Sequence, residues 1–135
     1  MRAYERFLKY AKIHTTSAEE QGVTPSTPCQ WELARVLVDE LKELGMENPG
    51  VNEHCIVTAW LSATPGCENA PALGFVAHMD TSPAFSGEHV NPVLHEGYDG
   101  GDIPLPREGR VIRAADFPFL AGMAGKTVIT ADGTT

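Results

Sequence analysis

Basic residues are scarce in this sequence, and their scarcity argues against one large class of proteins. The 135 residues include ten Lys and Arg against eighteen Asp and Glu, which gives a net charge of −8. Proteins that bind nucleic acids concentrate Lys and Arg on one face, where these side chains displace counterions from phosphates. We therefore expect no nucleic-acid partner.

Long apolar runs and paired cysteines are also missing. No run approaches the ~20 apolar residues that a membrane-spanning helix needs, and the N-terminus MRAYERFLKYAK lacks the uninterrupted apolar centre of a secretory signal. Cys29, Cys55 and Cys67 are odd in number and lack the C-x-x-C spacing of zinc ribbons and redox motifs. We expect a cytoplasmic protein with reduced structural thiols and no membrane partner.

Several catalytic signatures are absent as well. The sequence has no G-x-S-x-G elbow, no G-x-x-x-x-G-K-[ST] loop and no G-x-G-x-x-G fingerprint. Ser82 and Ser86 lie near His78 in the sequence, but no base and orienting acid are indicated around either hydroxyl. Nucleotide-binding and serine-hydrolase functions are therefore disfavoured.

The composition is that of a folded domain, and its helices are the clearest elements. Hydrophobic residues make up 42% and charged residues 21%, values close to the average for soluble globular chains. Helical spacing of apolar residues predicts a first helix over about residues 2–13. A second helix should begin at a capping box, Thr27-Pro28-Cys29-Gln30, and end at Gly45. Its predicted apolar stripe consists of Ala34, Leu37, Val38, Leu41 and Leu44.

Three apolar runs predict β-strands at about residues 55–63, 72–78 and 126–131. The middle run has no polar residue before His78, so we expect it to be buried on both faces. These elements predict an α/β fold, with two helices packed on one sheet and a loop-rich excursion between the last two strands. Asp132-Gly133 is a strong hairpin signal with only two residues after it, so we expect the chain to be incomplete.

The stretch GFVAHMDTSP raises the main chemical question, because an apolar run stops at two ionisable residues. In an extended segment His78 and Asp80 lie on the same face, with backbone positions ~6 to 7 Å apart. A neutral imidazole nitrogen can bind a metal, and a neighbouring carboxylate can orient the ring. The H-x-D motif alone favours the simpler interpretation by a wide margin: a strand-end histidine bonded to nearby backbone, followed by a turn that the Asp80 side chain initiates. A zinc centre also needs at least three protein ligands.

The other candidate ligands carry less weight. His14 ends the first helix, His54 lies beside a loop, and His89 and His95 are not spaced as ligands on one helix turn. The pair Glu19-Glu20 could supply a general base, but its polar loop favours a solvated charge pair. None of these residues is assigned to a metal site.

Longer motifs carry a family resemblance. AHMDTSPAFSGEHVNP (77–92) with GYDGGDIPL (97–105) resembles the peptidase T family of tripeptide aminopeptidases, within the di-zinc aminopeptidase/carboxypeptidase superfamily. The segments at 24–46 and 125–135 are similar to the same family. The resemblance implies that the catalytic domain is a mixed β-sheet with helices on both faces. The resemblance implies that His78 ligates one of two zinc ions, and that Asp80 is a catalytic residue that hydrogen-bonds and tunes the site without being a main ligand.

The resemblance also implies that most of the active site is not in residues 1–135. In the family, a G-A-D-D-K-type motif with the bridging aspartate, a Glu-Glu pair, another acidic ligand and a final His follow the segment similar to TADGTT. We therefore expect residues 1–135 to be the incomplete N-terminal portion of a catalytic domain, inactive alone and without the separate dimerisation domain. The complete protein is expected to cleave tripeptides, to release the N-terminal residue, and to form a homodimer.

Two other functions remain open at this point. The chain could be a metal-free homologue that acts as a binding or regulatory module. It could also come from a related zinc carboxypeptidase or deacylase, although the G-G-D-I segment favours the peptidase T branch.

Overall fold

A computed structural model describes residues 1–19 and 21–134. The chain divides into two compact units, which are described separately: His14–Pro83, and Met1–Ile13 together with Ala84–Thr135. Helices and strands are both present, so the predicted α/β class is confirmed. Neither of the two α-helices in the described residues is both long and apolar enough to span a bilayer.

The unit His14–Pro83 is built on helix α2 (Gln30–Glu43) and an antiparallel pair, β1 (Glu47–Val51) and β2 (Val57–Trp60). Gly45 ends the helix as predicted, with φ +74°, a conformation that glycine adopts without steric cost. The amide of Gly45 binds the carbonyl of Lys42, and that of Met46 binds the carbonyl of Leu41. This is a Schellman motif, which satisfies carbonyls at the helix end.

The start of α2 differs from the prediction. The residue before the helix is Cys29, which already has helical dihedrals, and its side chain makes no capping bond. The predicted capping box is therefore wrong. The Thr27 hydroxyl instead donates to the carbonyl of Thr16, and the Gln30 amide donates to Thr27 Oγ1. The Thr27 side chain therefore bonds a residue 11 positions earlier in the sequence instead of capping the helix.

The buried face of α2 agrees only in part with the predicted stripe. Ala34 is fully buried and Leu37, Val38 and Leu41 are half-buried, but Leu44 is exposed. Leu33 and Glu40 are buried and were not predicted. The observed face is therefore rotated towards positions 33 and 40.

The second unit contains α1 (Ala3–Tyr10), inside the predicted range of 2–13, and two short antiparallel pairs. Strand β3 (Val93–His95) pairs with β6 (Val128–Thr130), and β4 (Ile103–Pro104) pairs with β5 (Val111–Ile112). Two 3₁₀ helices, Ala114–Asp116 and Pro118–Met123, follow β5. The buried core of this second unit consists of Tyr98, Ile103 and Leu120, packed against Leu105, Ile112, Met123 and Val128.

The predicted strand at 72–78 is wrong. These residues pair with no strand in the described part of the chain, and Leu73, Phe75 and Val76 are 79%, 90% and 100% exposed. A strand needs a neighbour to satisfy its backbone N–H and C=O groups. Strands β1 and β2 pair with each other instead, so the apolar run forms no ladder with either strand.

The predicted single sheet is also wrong, because the strands in the described part of the chain form three separate two-stranded antiparallel sheets. The run at 55–63 contributes β2 and the run at 126–131 contributes β6, but they belong to different pairs. The apolar pattern identified both strands. Their partners were not identified: β1 lies where no strand was predicted, and β3 lies in the loop-rich excursion, where short strands were expected but not located.

Candidate metal-binding site

His78 and Asp80 lie together, as their i, i+2 spacing predicts. The His78 Nδ1 atom is 2.8 Å from the backbone carbonyl oxygen of Asp80 and 3.3 Å from its Oδ1. The His78 side chain is 84% exposed and the Asp80 side chain 42% exposed. The ring is therefore held by its neighbour and remains open to solvent, rather than being enclosed by packing.

The hydrogen bond from His78 fixes which ring nitrogen can bind a metal. A backbone carbonyl can only accept a hydrogen bond, so in the neutral ring Nδ1 carries the proton. The Nε2 atom then keeps its lone pair, as in metal-bound histidines whose other nitrogen donates to a carbonyl or carboxylate. His78 and Asp80 thus fit one metal ligand and the group that orients it.

The segment that follows the pair is anchored to a distant stretch of the chain. Thr81 forms a parallel bridge with Thr16: its amide donates to the carbonyl of Thr15 over 3.2 Å, and its carbonyl accepts from the amide of Ser17 over 3.0 Å. The Ser17 hydroxyl donates to the same Thr81 carbonyl, also over 3.0 Å. Thr15 is buried, with 3% exposure. The Asp80–Thr81 peptide is thereby fixed from outside the site.

The carbonyl of Thr16 connects this anchor to the start of α2. It accepts from the Thr27 hydroxyl at 2.7 Å and from the Cys29 thiol at 3.7 Å. Thr27 Oγ1 in turn accepts from the Gln30 amide at 3.1 Å. The Thr16–Ser17 peptide therefore links the start of α2 to Thr81, because its carbonyl accepts from Thr27 and its N–H donates to the Thr81 carbonyl.

The other sequence candidates that the structure describes do not join the pair. His54 Nε2 lies 3.7 Å from Glu53, and His95 Nε2 bonds Thr130 Oγ1 at 2.9 Å. Glu19 is exposed, and Glu20 lies outside the described residues. Within residues 1–19 and 21–134, no three His, Cys, Asp or Glu side chains are grouped closely enough to hold a metal ion. His78 and Asp80 are thus one part of a possible metal site.

Asp132 is a second organised carboxylate, which sequence reasoning treated only as part of a turn. It is 2% exposed; its Oδ1 accepts from the Thr134 amide at 3.1 Å and hydroxyl at 2.7 Å, and Oδ2 lies 3.4 Å from Arg107 Nε. The Thr134 bonds, with smaller contributions from Arg107 and Asn91, hold the pKa of Asp132 below its usual value against the effect of desolvation. The Asp-Gly-Thr sequence, which favours this side-chain turn, was the available signal.

Tyr98 borders an open cavity of about 250 Å³ that acidic side chains also line, including Asp99 and Asp102. Its hydroxyl donates to the carbonyl of Gly101. Burial, and then the nearby charges of Asp99 and Asp102, raise the pKa of Tyr98. Tyr98 therefore stays protonated at neutral pH and serves as a donor within its unit's core.

Comparison with known proteins supplies the remaining evidence. No family model matches the sequence. The chain is 51% identical over 132 residues to peptidase T of Geobacillus kaustophilus, 51% identical to peptidase T of Caldanaerobacter subterraneus, and 48% identical to peptidase T of Listeria innocua. Each match covers 97% of this chain and 32% of the relative. The predicted resemblance is confirmed, and the chain spans about a third of the length of these relatives.

Proposed function

Because nearly the whole chain is related to about a third of peptidase T, we propose that it forms part of the active site of a zinc-dependent aminopeptidase that cleaves tripeptides. The relatives' name supports peptidase activity. The observation that carries the proposal is the His78 ring, whose Nδ1 is bound to the Asp80 carbonyl while the side chain stays 84% exposed.

In this proposal His78 contributes one zinc ligand through Nε2, and Asp80 is the adjacent catalytic carboxylate. The Asp80 backbone oxygen holds the ring, and its Oδ1, 3.3 Å from Nδ1, stabilises positive charge that builds up on the imidazole. Two zinc ions, when bound, would supply Lewis acidity and a water of lowered pKa for attack on the peptide bond. The remaining ligands and the general base would come from polypeptide equivalent to the other two-thirds of the relatives.

The proposal has three further consequences. Residues 1–135 alone should be inactive, because the described residues bring together fewer than the three protein ligands that a zinc centre needs. The complete enzyme should act on short peptides, as a homodimer, in the cytoplasm. The net charge of −8 gives no support for a nucleic-acid partner.

A chimera tests the proposal. Residues 1–135 replace the equivalent third of the Geobacillus kaustophilus relative, whose 51% identity over 132 residues favours compatible packing. We expect the chimera to release the N-terminal residue from a tripeptide and to lose that activity on removal of zinc by a chelator. We also expect the chain alone to be inactive under the same conditions.

The same assay separates the competing functions. A folded chimera without peptidase activity, beside an active parent enzyme, would favour the metal-free binding module and contradict the proposal. Release of the C-terminal residue, or cleavage of an N-acyl group in place of the N-terminal peptide bond, would favour the related carboxypeptidase or deacylase.

A further inference from the structure

The hydrogen bonds around Thr81 hold the peptide to which His78 is bound. The Asp80–Thr81 peptide has its C=O facing His78 Nδ1 at 2.8 Å and its N–H donating to the carbonyl of Thr15 at 3.2 Å. Both polar groups of a single peptide are therefore engaged, one by the candidate ligand and the other by a buried residue. Because a peptide is planar, fixing its N–H also fixes the direction of its C=O.

We propose that Ser17 and Thr27 are positioning residues that hold the Asp80–Thr81 peptide and thereby keep His78 in its Nδ1–H tautomer, with Nε2 ready for a ligand. The significance of this inference rests on the proposed metal function, but the contacts themselves require no metal. Ser17 acts through the adjacent peptide: its amide and its hydroxyl both donate to the Thr81 carbonyl at 3.0 Å, which holds the Thr81–Ser82 peptide and, through Thr81, the Asp80–Thr81 peptide bonded to it.

Thr27 acts one step further away. Its hydroxyl donates to the Thr16 carbonyl at 2.7 Å, and so ties the strand-like segment at 15–17 to the start of α2. That segment bridges Thr81 across 65 positions of sequence, and the two threonine hydroxyls lie 3.4 Å apart. The contacts of the exposed His78 ring with Asp80 lie within its own loop, and Thr27 connects that loop through Thr16 to helix α2.

The choice between tautomers makes the inference measurable. If the Asp80 carbonyl were released, Nδ1 would lose its fixed acceptor, and the Nε2–H form, which dominates in free imidazole side chains in water, would gain population. A contact that only stabilises the fold would leave the tautomer ratio of a surface histidine unchanged. The ratio therefore reports positioning separately from stability.

The experiment uses the isotope-labelled chain without metal at a pH where His78 is neutral. Imidazole nitrogen chemical shifts give the tautomer ratio, with the His78 signals assigned by their loss in His78→Ala, and amide exchange of Thr81 reports the bridge. In Ser17→Ala we expect Thr81 to exchange about five-fold faster, the effect of one lost hydrogen bond, and His78 to shift towards the Nε2–H tautomer. Ser62→Ala, which removes an exposed hydroxyl bonded to Glu47 in the same unit, should change neither.

Two results would overturn the inference. One is a predominantly Nε2–H tautomer in the unmodified chain. The other is faster Thr81 exchange in Ser17→Ala with an unchanged His78 tautomer, since the contacts would then be structural only. Thr27→Val, which keeps the side-chain shape but lacks the hydroxyl, provides a second variant if Ser17→Ala does not fold. Because no metal is present, a chimera that fails to cleave peptides would leave this result standing and refute only the proposed function.

Discussion

Asp80 and Asp132 occupy similar places in the sequence but different environments in the structure. Each follows an apolar run, GFVAHM before Asp80 and KTVITA before Asp132, and each is followed within two residues by Thr or Ser. The Asp132 side chain is 2% exposed and bonded to Thr134 and Arg107, whereas the Asp80 side chain is 42% exposed beside His78. The difference lies in what surrounds each run.

The run before Asp132 forms a strand and the run before Asp80 does not. Strand β6 pairs with β3, so the residues just before Asp132 are fixed by hydrogen bonds to a neighbouring strand. The Asp132 carboxylate accepts from the Thr134 amide and so closes a turn. Phe75 and Val76 have no ladder and remain exposed. A carboxylate whose oxygens are all engaged stabilises structure, while one that is half exposed next to an imidazole remains available for chemistry. The following variants test that distinction.

The largest effect is expected at Gly133, directly after the buried aspartate. Its φ is +107°, and a Cβ atom there would lie 2.5 Å from the carbonyl oxygen of Arg107. Gly133→Ala combines an unfavourable backbone conformation with overpacking, so we expect a loss of roughly 2 to 5 kcal/mol in the free energy of unfolding. Denaturant unfolding of the chain measures it. Gly122→Ala, where a Cβ meets no atom within 4 Å, is the control; equal stability of the two variants would mean that the Arg107–Gly133 contact is not formed.

Asp132→Asn should lower stability in a pH-dependent way. The native contacts lower the pKa of Asp132, so its contribution is present above the unfolded-state pKa of about 4 and is lost as pH falls through the lower native value. The stability gap between the unmodified chain and Asp132→Asn should be widest near neutral pH and close in acid. Unfolding curves at several pH values measure this gap, with exposed Asp116→Asn as the control. A gap that is constant with pH would contradict the ionised, hydrogen-bonded Asp132.

The smallest effect is expected in the run before Asp80. Phe75 is 90% exposed, so Phe75→Ala should change the free energy of unfolding by only about 0.5 kcal/mol or less. Ile129, in the run before Asp132, is half-buried in β6, and Ile129→Ala should cost about 1 to 2 kcal/mol. Parallel denaturant titrations compare them. A larger loss for Phe75→Ala than for Ile129→Ala would show that the run at 72–78 is packed rather than exposed.

Residue spacing and hydrophobic periodicity predicted those features of this chain that depend on residues close together in the sequence. The i, i+2 spacing correctly brought His78 next to Asp80, and helical periodicity with Gly45 located α2 and its end. Apolar runs located β2 and β6 but could not identify their partners, because pairing depends on which other segments are available. For the same reason the run at 72–78 was assigned to a sheet that the described residues do not form.

The hydrogen bonds that hold the segment after Asp80 could not be predicted from the sequence. Thr16 and Thr81 are 65 positions apart, and nothing in either stretch indicates the other. The Thr27 hydroxyl matched a helix cap, yet the Thr16 carbonyl is its acceptor. Hydroxyl groups bond whichever acceptor the fold brings near, so their roles follow from tertiary structure.

The most direct test of the account is the zinc content of the chimera and of two histidine variants, measured on purified, folded protein. If His78 is a ligand and Asp80 orients it, His78→Ala should lose at least half of the bound zinc, while His89→Ala should keep all of it. Equal zinc content in the unmodified chimera and in His78→Ala would contradict the central claim.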